Sequence, residues 1–162
     1  MAGGPERGAE AYAEALRERA RGLDVTWIGE VPDAGPFLAD LDVFAMISEP
    51  AGCPNASIEA MAAGLPVVAT DVGGAADQVV DGVTGRLVPR DDAAALAAAL
   101  VQIARDPALR RRFGEAGRAR AEDRFDLRRM AADYRRVCLG DAAHAEGASA
   151  RTGLGDVASE TP

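Results

Sequence analysis

The chain has 162 residues, 48% of them hydrophobic, enough to bury the core of one compact domain. Its formal charge of −8, with no Lys/Arg block standing apart from acids, excludes a phosphate-backbone partner, so no nucleic acid is expected. No apolar run of about 18 residues occurs and Met1 to Glu10 is polar, so a soluble, cytoplasmic protein without an integral membrane segment is expected.

Taken in chain order, Tyr12, Leu16, Ala20 and Leu23 recur at helical spacing across residues 8–22, with Glu and Arg between them. That spacing predicts an amphipathic helix, stopped by Gly22. Val25-Thr26-Trp27-Ile28-Gly29 has β-type composition closed by Gly and predicts a strand; a short helix through Phe37, Leu38 and Leu41 follows. Leu41 to Ile47 is nearly continuous apolar sequence, which predicts a strand buried on both faces. Ser48 to Pro54 reads as a loop, Asn55 to Ala63 as a helix with Gly64 at its C-cap, and Pro66 to Thr70 as another buried strand.

Gly73-Gly74 leads into a brief helix, Asp81-Gly82 turns the chain, and Gly85 to Val88 is a last, short strand. Asp91 or Asp92 can cap the next helix, whose apolar face carries Leu96, Leu100 and Ile103. Asp106-Pro107 starts another helix with Leu109, Phe113 and Ala116, and Leu127, Met130, Tyr134 and Val137 mark the final one. This alternation predicts an α/β fold, a doubly wound (Rossmann-like) parallel sheet over residues 1–139 with a helical C-terminal region. Large apolar residues nearly vanish after Gly140, so residues 140–162 are expected to form a disordered tail.

Chemistry-bearing residues are few. Cys53 and Cys138 lie far apart without a Cys-x-x-Cys pair, which argues against zinc or a disulfide framework and predicts free, buried thiols. The single histidine, His144, sits in the polar tail. Doubly wound sheets bind ligands beyond the carboxyl ends of their strands, and the segment from Ser48 to Val68 stands at such an end. There Gly52 and Pro54 set a tight turn, and Asn55 or Ser57 can cap the helix, leaving first-turn amides free for a diphosphate. Glu59 follows about one turn in, where a carboxylate gains from the helix dipole and can accept from vicinal sugar hydroxyls; an acid there can equally do no more than support the helix. Gly73-Gly74 is either a close-approach loop lining a cleft or a turn packed on the sheet, and Asp77 reads as a surface or capping acid.

Gly3-Gly4-Pro5-Glu6-Arg7, Val25 to Gly29, Leu38 to Phe44, Pro54 to Ala69, and Val72-Gly73-Gly74 with Asp81 to Val88 occur in an order that resembles one known family throughout roughly residues 2–139. It is the retaining GT-B glycosyltransferases of the Glu-x7-Glu type, glycosyltransferase family 4 (glycosyl transferases group 1). The resemblance implies the C-terminal, nucleotide-sugar (donor) binding domain of an enzyme that moves a sugar from a nucleoside-diphosphate sugar to an acceptor with retention. It implies that Glu59, matching the motif's second Glu, binds the ribose hydroxyls. The amides around Asn55, Ala56, Ser57 and Ile58, with Gly52 in the preceding turn, would face the diphosphate, and the Gly29-Glu30-Val31 loop would meet the nucleobase through its main chain. The nucleotide sugar is the donor substrate; no cofactor and no metal ion are expected.

Two departures qualify that picture. Eight positions before Glu59 stands Ala51, where the family has the first Glu, which contacts the donor sugar. Glu49 is two residues too early, up to about 7 Å of extended chain, so the sugar-contacting acid is expected to be lost. The family's Arg/Lys pair that neutralises the diphosphate, two strands and the acceptor domain would all precede Met1, and His144 is no substitute for the groups they carry. This chain alone is therefore expected to be inactive and to hold no catalytic residue, completion coming from an N-terminal acceptor domain or a partner chain. The alternative is a non-catalytic α/β remnant or interaction module that has lost sugar transfer; a nucleotide-sugar epimerase of similar architecture fits Pro54 to Val68 less well.

Overall fold

A computed structural model describes residues 3, 8–47 and 54–139. Along the chain run α1 (Glu10–Arg19), α2 (Ala34–Ala39), β1 (Phe44–Met46), α3 (Asn55–Ala62), β2 (Val67–Thr70), α4 (Ala75–Gln78), β3 (Gly85–Val88), α5 (Ala93–Arg105), α6 (Pro107–Arg124) and α7 (Leu127–Cys138). The expected alternation is present. The three strands form one parallel sheet in the order β1-β2-β3, with Phe44 opposite Val67, and Val67 in turn opposite Gly85.

The central strand shows why the fold is doubly wound. All four residues of β2 are buried, and successive side chains point to opposite faces. Val67 and Ala69 enter one cluster with Leu38, Met61, Leu65 and Val79, whereas Val68 enters another with Val88, Ile103 and Phe113. A strand covered on both faces needs apolar residues at every position, which is what Val67-Val68-Ala69 supplies.

Helix α6 clamps α3 through two glycines. A Cβ on Gly114 would lie 2.0 Å from the Gly64 carbonyl oxygen, so only glycine permits this approach. Gly64 itself has φ 81°, the left-handed conformation that ends α3. The other helix starts follow the sequence signals: Asp92 accepts from the Ala95 amide at 2.8 Å, and Asp106 from the Ala108 and Leu109 amides at 3.0 and 2.9 Å. Asp91 is not the cap; it takes φ 59° in the turn before α5.

Several expectations are corrected. Val25 to Gly29 forms no ladder strand: only Gly29 is bridged, its carbonyl accepting from the Gly3 amide at 2.7 Å, and Ile28 is 51% exposed. A ladder needs a strand alongside, and among the described residues no strand of the sheet lies beside this segment. The segment from Leu41 to Ile47 yields a three-residue edge strand, half-buried at Phe44 and Met46 and exposed at Ala45, because among the described residues β1 has a partner on one side only. Helix α1 is shorter than residues 8–22 and buries nothing; Arg17 instead stands 5.9 Å over the Trp27 ring. Cys138 is an exposed free thiol, not a buried one.

The chain divides into two compact units, residues 1–122 and residues 123–162. In the second, Asp126 caps α7 by accepting from the Arg128 and Arg129 amides, and Asp133 pairs with Arg136 at 2.9 Å. The tail expected at 140–162, and with it His144, lies outside the described residues, as do Gly52 and Cys53. Among the described residues no helix is long and apolar enough to cross a membrane.

Candidate functional site at the carboxyl ends of the strands

Three helices begin where the strands end: α3 after β1, α4 after β2, and α5 after β3. Parallel strands put all these starts at one end of the sheet, beyond the strands' carboxyl ends, so their free amides face a common region. A cleft of about 340 Å³ opens at this end, lined by Ile47, Thr70, Val88, Arg90, Asp91 and Asp92 among others. Neither Glu59 nor the first turn of α3 lines it.

The start of α3 differs from the expected one. Pro54, with φ −70° and ψ 126°, is the N-cap, and no side chain caps the helix. Asn55 therefore opens the helix without capping it, and Ser57, 1% exposed, is turned into the protein. Proline has no amide of its own, so the open donors are the main-chain N–H groups of Asn55, Ala56 and Ser57. Ile58, the fourth residue, is the first whose amide has a carbonyl four residues back within the helix, that of the N-cap Pro54. The uncapped turn is thus less satisfied within the helix than a Ser- or Asn-capped one, and correspondingly receptive to an anion.

Glu59 is the fifth residue of α3 and is exposed, whereas Ala60 and Met61 beside it are fully buried. A carboxylate held on solvent-facing helix surface keeps its acceptor oxygens for a ligand. Val31 is half-buried in the loop leading into α2, whose Asp33 cap accepts from the Gly35 amide at 2.9 Å, and α2 packs against α3. The Gly29-Glu30-Val31 loop and the Glu59 helix are therefore neighbours through α2. Gly73 has φ 54° and Gly74 is the N-cap of α4, so the double glycine serves the backbone of this turn.

Sequence reasoning passed over Gln78. It is fully buried, its Nε2 donates to the Pro54 carbonyl at 3.1 Å, and its own carbonyl accepts from Arg120 Nε at 2.7 Å. The only trace in the sequence is a polar residue directly before the apolar Val79 and Val80. Among the described residues no group of three or more His, Cys, Asp or Glu side chains is placed to hold a metal ion.

The sequence profile of the family "Glycosyl transferases group 1" matches residues 1–106. Over 136 residues the chain is 40% identical to a phosphatidyl-myo-inositol mannosyltransferase of Mycobacterium leprae, covering 76% of this chain and 34% of that protein. Over 102 residues it is 38% identical to the capsular polysaccharide biosynthesis glycosyltransferase CapM of Staphylococcus aureus, covering 63% of this chain and 27% of that protein. The chain thus spans about a third of the length of the curated relatives it matches. Among solved structures, the Anabaena protein HepE in complex with UDP superposes with a TM-score of 0.81 at 26% identity, over 85% of this chain and 39% of that one.

Proposed function

Since the chain belongs to the glycosyl transferases group 1 family, we propose that it is the donor-binding half of a retaining, family 4 glycosyltransferase that takes a nucleoside-diphosphate sugar. The observation that carries this reading is the start of α3: an uncapped first turn with Glu59 exposed one turn further on. A diphosphate at the amides of Asn55, Ala56 and Ser57, with Ile58 closing the turn, puts its ribose within reach of the Glu59 carboxylate. Val31 and its neighbours offer main-chain groups to the base. HepE binds UDP, which makes UDP the first nucleotide to try.

Sugar transfer requires more than this chain. The acid expected to contact the sugar is replaced by Ala51, and the groups that orient an acceptor belong to an N-terminal acceptor domain or a partner chain. Among the described residues β1 is paired on one side only, and that edge supports the reading, since it is a position where a further parallel strand fits.

Calorimetric titration of the chain with UDP, GDP and ADP tests the proposal. One of them should bind, and Glu59→Ala should weaken it by about tenfold to a hundredfold, the range for hydrogen bonds to a charged group. The wild type should also prefer the nucleotide to its 2′,3′-dideoxy analogue, and Glu59→Ala should abolish that preference. A folded chain that none of the three nucleotides saturates at millimolar concentration would overturn the reading.

A further inference from the structure

Gln78 joins three elements that the sequence keeps far apart. It is the last residue of α4, it is 0% exposed, and Ala75 and Val79 on either side belong to the apolar core. A carboxamide in such a place is costly unless its hydrogen bonds are made, and an apolar side chain of similar size would pack there at less expense. What the amide does is specific: its Nε2 donates to the carbonyl of Pro54, 24 residues earlier, at 3.1 Å. Pro54 is the N-cap of α3, and the peptide plane that carries its carbonyl also carries the Asn55 amide. Fixing the one fixes the direction of the other.

The amide is itself held from behind. Arg120 of α6 donates from Nε to the Gln78 carbonyl and from Nη2 to the Asp77 carbonyl, both at 2.7 Å. These are carbonyls at the end of α4, which a four-residue helix leaves without internal partners. Because α6 also grips the C-terminal end of α3 through Gly114, one helix sets both ends of the other. The Gly114 contact acts directly, and the contact at Pro54 acts through Gln78.

We propose that Gln78, backed by Arg120, is a positioning residue for diphosphate binding: it aims the open amides of Asn55, Ala56 and Ser57. This rests on the reading of α3 as the diphosphate site. Without the Pro54 tether the first turn of α3 is free to fray, and the anion then has to order the turn as well as bind it.

The test uses the full chain and its Gln78→Met variant, which keeps volume and loses the donor. Two measurements are made: amide hydrogen exchange at Ile58 and Glu59, and affinity for UDP, GDP and ADP against their nucleosides. Exchange at Ile58 and Glu59 should quicken at least tenfold in Gln78→Met while Met61 is unchanged. Affinity for the nucleoside diphosphate that binds should fall about tenfold, with the nucleoside unaffected and the melting temperature kept or raised. Arg120→Lys should reproduce the pattern more weakly. Unchanged exchange at Ile58 overturns the positioning role, and so does an equal loss for nucleotide and nucleoside. Quickened exchange in a chain whose wild type binds no nucleotide overturns the donor-site reading and the assigned role with it, leaving Gln78 as a structural tether.

Discussion

Gly114 and Gly117 lie one turn apart on α6, and they separate two effects that a sequence cannot. Replacing a helical glycine by alanine gains about 1 kcal/mol of propensity. At Gly117 the nearest atoms to the new methyl are Met61 side-chain carbons and the Leu65 carbonyl oxygen at 3.6 Å or more, ordinary contact distances. At Gly114 it would stand 2.0 Å from a main-chain oxygen that cannot move without shifting the end of α3. Gly117→Ala should therefore be neutral or stabilising by up to about 1 kcal/mol, whereas Gly114→Ala should cost about 1–3 kcal/mol net as an overpacking change. Urea denaturation of the two variants measures both, and equal midpoints would contradict the difference. Ala51 supplies a residue-scale test of a different kind. If the sugar-contacting acid has been lost there, the chain should bind a nucleoside diphosphate and its sugar conjugate alike, and Ala51→Glu should create a preference for the conjugate of about tenfold, read by competition calorimetry.

At the scale of elements, what could be read in the sequence was what local chemistry determines. Asp92 and Asp106 act as helix caps because a carboxylate at that spacing reaches the second or third amide of the turn it precedes, whatever the rest of the chain does. Asp106→Ala should lose about 1 kcal/mol of stability, and thermal melting of the variant checks it. The uninterrupted apolar stretch at Val67 to Ala69 announced a two-faced strand for an equally direct reason. At the start of α3 the local signals mislead: Asn55 and Ser57 are both good caps, but Pro54 fits the pre-helical backbone and takes the position. The Val25 to Gly29 segment failed for the opposite reason to the caps. Its composition suits a strand, yet pairing is decided by a neighbour that local sequence does not reveal. Gln78 was invisible for the same cause, since its partner lies 24 residues away and no periodicity links them.

At the scale of the whole molecule, the sheet formed by the described residues ends in an open edge at β1, while the chain carries a formal charge of −8. An edge strand exposes unpaired main-chain donors and acceptors that can pair with another copy, and proteins suppress this with charge on or near the edge. Here β1 offers little such protection locally: Ala45 is exposed and Ile47 beyond the strand is 54% exposed. Its shortness, three residues, limits the number of bonds a second copy could make. Net repulsion is then the main remaining brake on association, and it fades as the pH falls toward the isoelectric point near 4.7 or as salt screens it. The chain should sediment as a monomer at neutral pH and low ionic strength and should associate increasingly as either condition is changed. Ala45→Lys places a charge on the edge itself and should shift the onset of association to lower pH or higher salt by blocking edge pairing. If Ala45→Lys associates just as the wild type does, the edge of β1 is not the contact, and the exposed apolar residues at Ile28 and Trp27 become the surface to mutate next.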